Sequence, residues 1–130
     1  MITGKTKQEF EKWWNIDHIK HKLEDFYDLP KSMQYGVLVD YFDSVGVIIE
    51  TPFYWGGNWW KYEISTRELS CSEEEYVTNL RASKEGFKTR PEARPEAIKK
   101  ANEIRNKQLK GNKHVYSFDI KETLKPFGRL

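Results

Sequence analysis

Apolar residues in the first third of this chain recur at helical spacing. Phe10, Trp13, Ile16, Ile19, Leu23 and Phe26 follow one another every three or four positions, which places them on one stripe of a helix. Thr6 and Glu9 stand just ahead of the stripe with the spacing of a capping box, so the pattern predicts one long helix or two abutting ones. A second helix is predicted from Pro30, whose fixed φ suits a first turn, through Met33, Val37, Leu38, Tyr41, Phe42 and Val45. Gly46 is placed to end it in the left-handed conformation. Gly36 lies inside it, where a glycine costs about 1 kcal/mol relative to alanine, and is expected to admit a closely packed neighbour.

The period then changes to two. Val47 to Tyr54 is rich in β-branched and aromatic residues, Gly56-Gly57-Asn58 is a turn signal, and Trp59 to Ser65 alternates; together they predict a β-hairpin. Trp60, Tyr62 and Ile64 share the face expected to be core, and Trp59, Lys61, Glu63 and Ser65 share the other. Pro52 cannot donate to a ladder, which puts the first strand at an edge or a bulge.

From Ser70 to Gly86 two readings compete. Ser72 and Glu75 have capping-box spacing ahead of Tyr76, Val77 and Leu80 and favour a helix, while Tyr76 to Ala82 also suits a third strand. Thr89 and Glu92 form a further start signal, but Pro95 would interrupt the first turns, so the regular helix is expected from Pro95 to about Leu109. Ala97, Ile98, Ala101 and Ile104 then face the core, Lys99, Lys100, Asn106, Lys107 and Lys110 face outward, and Gly111 stops the helix. His114, Tyr116, Phe118 and Ile120 alternate as a last strand, and residues 119–130 read as a loosely ordered tail. The fold class is α+β: a small single domain over residues 1–130, with helices flanking a short antiparallel sheet centred on a tryptophan-rich hairpin.

Composition adds that the core is aromatic. Only 38% of the 130 residues are hydrophobic and 32% are charged, yet 7 Phe, 7 Tyr and 5 Trp supply large buried area per residue. Cys71 is the single cysteine, so no disulfide can form within the chain, and no basic start joins an apolar stretch as a secretion signal would. A reducing compartment, the cytoplasm, is expected. The longest apolar run, Val45 to Ile49, falls far short of the roughly 20 residues of a membrane span.

The net charge of +2 conceals a division. Residues 1–80 carry 8 Lys or Arg against 14 Asp or Glu, and residues 81–113 carry 11 against 4. Such a split supplies either a basic face for an acidic partner or two halves that attract each other in the fold.

Signals for catalysis are weak. His18, His21 and Asp25 share one side of a helix, with Asp17 and Glu24 close by, but they oppose the apolar stripe and no further ligand stands near in sequence, as on any exposed polar face. Cys71 with His114 as its base has no signature around either residue. There is no phosphate-binding glycine loop, nucleophile elbow or zinc-binding spacing. Neither a catalytic residue, a cofactor nor a metal is assigned.

Two surfaces suit binding. Tyr54, Trp55 and Trp59 set large rings beside a glycine turn, where they can hold a base, a sugar or an apolar side chain of a protein partner. The competing reading packs Trp55 and Trp59 against the amino-terminal helix with Trp13 and Trp14. The second surface is the late helix, with Lys99, Lys100, Lys107 and Lys110 outward and Arg90, Arg94 and Arg105 near its ends, which suits phosphate. With a third strand the order helix, three strands, helix resembles the double-stranded RNA-binding domain. That family's late helix begins with a lysine-rich cluster, and Lys88-Thr89-Arg90-Pro91-Glu92 departs from it by an acid and a proline.

Two segments carry a closer likeness. Leu29-Pro30-Lys31-Ser32-Met33-Gln34-Tyr35-Gly36-Val37 with Asp40 and Ser44-Val45-Gly46, and Phe87-Lys88-Thr89-Arg90-Pro91-Glu92-Ala93 leading into Ala97-Ile98-Lys99-Lys100-Ala101, resemble small uncharacterised proteins of tailed bacteriophages and gut bacteria. The resemblance covers about a quarter of the chain. It implies a short accessory protein of the host-cell cytoplasm or a minor virion component. The combined expectation is a non-catalytic protein that binds another protein or a second copy of itself, with a nucleic-acid-binding module as the alternative.

Overall fold

The computed structural model describes residues 2–17, 23–69 and 75–111. His18, His21, Cys71, the strand expected from His114 to Ile120 and the tail at 119–130 lie outside them. The described chain runs α1 (Gly4–Asp17), α2 (Leu23–Tyr27), α3 (Lys31–Ser44), β1 (Val47–Glu50), β2 (Phe53–Tyr54), β3 (Trp59–Leu69), β4 (Tyr76–Phe87) and α4 (Arg90–Gly111). The α+β class read from the sequence is the class observed.

β3 is the central strand. β1 and β2 pair antiparallel with one edge of it and β4 with the other. β1 and β2 behave as one strand interrupted at Pro52: Glu50 faces Glu63, Phe53 faces Trp60, and between them the Lys61 amide donates to the Pro52 carbonyl at 3.0 Å. Pro52 stands opposite Lys61 and returns no N–H, so one rung is half-made; the register resumes at Phe53, and on the outer edge of the sheet no second neighbour is lost.

The described part of the 70–86 segment, from Tyr76 on, is strand and not helix. The helix-start spacing of Ser72 and Glu75 yields to the free edge of β3, whose N–H and C=O groups need partners. Register shifts between Trp60 and Tyr62 and between Ile64 and Ser65 kink β4, as bulges on an edge strand do.

One sheet face is covered. Val47, Ile49, Tyr62, Ile64 and Thr66 are buried beneath α4 and α3, and α1 packs on α4 in turn. Trp60, expected in the core, is half-buried. The core is aromatic at its centre: Phe10 lies 5.5 Å from Tyr41 and 4.9 Å from Phe26, with Trp13 and Trp14 beside them. Edge-to-face rings at such distances add to the area they bury.

Several helix expectations need correction. Met33 is exposed and Gln34 buried, so the inward stripe of α3 is Gln34, Leu38, Tyr41 and Phe42. Among the described residues nothing lies within 4 Å of a Cβ built on Gly36, so none of the described elements packs there. Gly46 does adopt φ +81 and leads the chain from α3 into β1. α4 starts at Arg90 and carries Pro95 inside it. Its start is held by the Glu92 amide, which donates to Thr89 Oγ1 at 3.4 Å, and by Glu92 Oε1, which accepts from the Lys88 amide at 3.1 Å. Pro95 then forgoes a single ladder bond, the one to the Pro91 carbonyl.

Thr6 and Glu9 do not form a capping box. Asn106 Oδ1 on α4 accepts from the Thr6 amide at 2.9 Å and Asn102 Oδ1 accepts from the Thr3 amide at 2.9 Å, so the start of α1 is capped by another helix. Glu9 instead meets Arg105, which is fully buried.

Candidate functional site

The hairpin tip is built by a tight turn. The Gly57 and Asn58 amides both donate to the Tyr54 carbonyl, at 3.3 and 2.8 Å. Asn58 takes φ 61, which asparagine tolerates better than most residues. Side chains then alternate across the sheet and divide the aromatic residues between its faces.

On the open face Tyr54 and Trp59 stack at 5.8 Å and 28°, and Lys61 Nζ sits 5.0 Å from the Tyr54 ring centre. Trp59 is half-buried by its own turn, with its indole Nε1 enclosed and without an acceptor. On the helical face Trp55 meets Phe53 edge-on at 4.7 Å, Phe53 meets Trp60 at 5.1 Å, and the Arg90 guanidinium lies 4.3 Å over Trp60. Arg90 Nε also donates to the Thr51 carbonyl at 3.3 Å. The ring chain is thereby tied to the start of α4, and its outermost member, Trp55, remains 84% exposed.

The structure therefore separates the three hairpin residues singled out from sequence. Tyr54 and Trp59 share one face and Trp55 projects with Phe53 and Trp60. None packs against α1 as the competing reading required: Trp13 and Trp14 belong to the interior with Phe10, Phe26 and Tyr41. Phe53 and Trp60 escaped notice as support for Trp55, although their facing positions follow from the hairpin register.

The basic residues of α4 are also divided. Lys99, Lys107 and Lys110 are exposed, and Lys100 pairs with Glu103 at 3.3 Å. Glu96 and Glu103 share that outward side at helical spacing. Arg90 and Arg94 turn toward the sheet and α3 instead. Arg94 is half-buried with its guanidinium 5.2 Å from the Tyr35 ring centre. Arg105 is the largest fully buried side chain of the described residues and is lost to any phosphate-binding role. Burial pushes the Tyr35 hydroxyl pKa up, while a hydrogen bond with Thr51 and the charges of Arg94 and Arg90 pull it back.

The charge halves meet inside the fold at Glu9–Arg105 and at its margin at Glu68–Arg81, 2.7 Å apart. Among the described residues no group of three or more His, Cys, Asp or Glu is placed to hold a metal ion. No described helix is long and apolar enough to cross a membrane. No protein-family model, curated protein or solved structure matches this chain.

Proposed function

We propose that this protein is a non-catalytic binding module whose partner is another protein, engaged by the hairpin tip. The observation that carries this reading is Trp55: a tryptophan 84% exposed, propped edge-on against Phe53 at the end of a ring chain anchored by Arg90. A large side chain held out at little conformational cost is the usual anchor of a protein interface. The likeness of two helix-forming segments to small phage proteins supports an accessory or virion role for the complex. Tyr54 and Trp59, on the other face of the same tip, then serve its rim.

The nucleic-acid reading has β4 in its favour: with β1 and β2 counted as one interrupted strand, the run from α3 to α4 is helix, three strands, helix. It has less support from charge, because the outward lysines of α4 are interleaved with Glu96 and Glu103 while Arg90 and Arg94 lie elsewhere.

Affinity capture from the producing cell, with wild type and Trp55→Ala run in parallel, tests the proposal. Trp55→Ala is expected to change stability by no more than about 0.5 kcal/mol. It should weaken binding of the purified partner by about 2 kcal/mol, or some thirtyfold. A partner held equally well by the variant would sink the proposal. So would captured nucleic acid that is released steeply by salt and lost on replacing Lys99, Lys100, Lys107 and Lys110 with Ala.

A further inference from the structure

β4 has a strand neighbour on one side only: it pairs with β3, and no other described strand meets its outer edge. A free edge is a template for a further strand, and folded proteins blunt it with prolines, charges and bulges. The opposite edge of this sheet is blunted by Pro52 and the exposed Glu50. On β4 such devices begin only at Arg81, the extra residue between the pairs Ile64–Ala82 and Ser65–Leu80. They continue through Lys84, Glu85 and Gly86, which takes φ +95. Ahead of them Tyr76 to Leu80 is a regular run with no charge, proline or glycine. Every residue of the run is exposed, Tyr76 by 48%, Val77 by 39% and Leu80 by 61%.

Geometry leaves one register in which two such runs pair fully about a two-fold axis. Residues opposite each other in an antiparallel pair stand on the same face of the sheet, so the axis passes through a residue and not between two. Full overlap of Tyr76–Leu80 puts it at Thr78. Tyr76 then faces Leu80 of the second copy, and Leu80 faces Tyr76 of the second copy, on the open face that Ser65 and Arg67 share. Thr78 faces its own counterpart between them, and Val77 faces Asn79 on the other side of the sheet. Just outside the run Glu75 comes opposite Arg81 of the second copy, at both ends, and adds an acid to a base that already holds Glu68. An aromatic ring against an apolar chain, threonine against threonine and acid against base are each favourable across strands. Tyr76 is also steadied in advance, by the Arg67 guanidinium 4.0 Å over its ring.

We propose that a second copy of this chain pairs with β4 over Tyr76–Leu80, edge to edge and antiparallel, so that two four-stranded sheets become one continuous sheet. The occupant is a second copy because the run is its own complement: in the register that the bulge at Arg81 allows, apolar chains meet apolar chains and opposite charges flank them. The contact uses the same patch on both copies and closes at two. The outer edges of the joined sheet carry Pro52 and Glu50, which bar a third copy. Leu69 pairs with Tyr76 at one end of β3 and Trp60 with Phe87 at the other, so this edge is remote from the hairpin tip and neither proposal rests on the other.

Sedimentation equilibrium of the full chain tests this, with a monomer–dimer equilibrium expected between about 1 μM and 1 mM. Thr78 stands opposite Arg67 of its own chain, so Thr78→Glu gains an ion pair within the fold and sets two carboxylates against each other across the axis. The variant should stay folded and dimerise about a hundredfold more weakly or worse. Thr78→Lys should also be a monomer alone, and an equimolar mixture of the two variants should recover the dimer. Amide hydrogen exchange within Tyr76–Leu80 should slow as the wild-type concentration rises and stay fast in Thr78→Glu. A chain that remains monomeric up to about 1 mM overturns the proposal, and amides of the run that are protected at every concentration would then assign the edge to another segment of the same chain. A dimer indifferent to Thr78→Glu and lost in Trp55→Ala also overturns it, by placing the contact at the hairpin tip. So does a mixture of the two charged variants that stays monomeric.

Discussion

Glu9 and Arg105 stand 96 positions apart in the sequence and meet as a two-bonded pair inside the protein, Nε to Oε1 at 2.9 Å and Nη2 to Oε2 at 2.8 Å. Tyr41 donates a third bond to Glu9 Oε1 at 2.6 Å, and Gln108 Oε1 accepts from Arg105 Nη1 at 2.8 Å. The network ties α1, α3 and α4 together with nearly every strong donor and acceptor spoken for. Breaking it from one side leaves an uncompensated buried charge, which costs about 3–5 kcal/mol. Arg105→Met and Glu9→Gln are each expected to lower the urea midpoint by that equivalent, a large share of a typical domain's stability. The double change Glu9→Leu with Arg105→Met should recover much of the loss. A double variant as unstable as the sum of the singles would show that the pair is not the unit that matters.

Capping across helices makes a second prediction. Asn106 Oδ1 takes both the amide and the hydroxyl of Thr6, and Asn102 exchanges two bonds with Thr3. Asn106→Ala and Asn102→Ala are each expected to cost about 0.5–2 kcal/mol in thermal or chemical unfolding. Asn106→Asp should stay near wild type, because Oδ1 only accepts there. The first turn of α1 holds no acid, so a carboxylate at that position also meets the positive end of its dipole.

These two networks mark where the sequence stops being legible. Pro30, Gly46, the hairpin turn and the edge position of Pro52 were all readable because each depends on the conformation of a few neighbouring residues. Asn102, Asn106 and Arg105 look like surface residues, and only partners far along the chain show why they are inward, while Gln34 is turned in by the nearby carbonyls of Tyr27 and Leu29. Thr6 and Glu9 carried a helix-start pattern whose side chains were already committed to α4. At β4 the capping-box spacing of Ser72 and Glu75 favoured helix over a strand from Tyr76, and the pairing demand of β3 decides for the strand. At the hairpin the aromatic residues were evident, but their division between two faces needed the register.

The response to alkali follows from Tyr41. Burial raises its pKa well above the usual 10.0, and the charge of Glu9 and the bond donated to it raise it further. In the unfolded chain the same hydroxyl ionises near pH 10, so above that pH the native state binds more protons than the unfolded one. Stability is then full below about pH 10 and declines as pH climbs toward the folded-state value. Tyr35 and Tyr62 are also raised by burial and contribute in the same direction. Tyr41→Phe should cost about 1.5–3 kcal/mol at neutral pH, the worth of a bond to a charged acceptor. The variant should also fall less steeply between about pH 10 and 12. An unchanged alkaline slope in urea midpoints across that range would remove Tyr41 from this account.

The hairpin tip offers a prediction that separates packing from exposure. A Cβ added at Gly57 would lie 2.3 Å from Trp59 Cζ2 and 2.4 Å from Cε2, whereas one at Gly56 would lie 3.1 Å from the edge of the Tyr54 ring. The first distance is far inside contact, so Gly57→Ala must displace the Trp59 indole from its stack on Tyr54. Overpacking of this kind costs about 1–3 kcal/mol. The rest of β3 and its pairing with β4 lie away from the turn, so the fold should persist. The expected signature is a changed near-ultraviolet circular dichroism band and greater quenching of tryptophan fluorescence by acrylamide, with the far-ultraviolet spectrum retained. Gly56→Ala should show a weaker version of both. Trp55 is held by Phe53 on the other face and should keep its place. A partner anchored on Trp55 therefore loses little when Gly57 is changed, and one that reads the Tyr54–Trp59 stack loses most of its affinity.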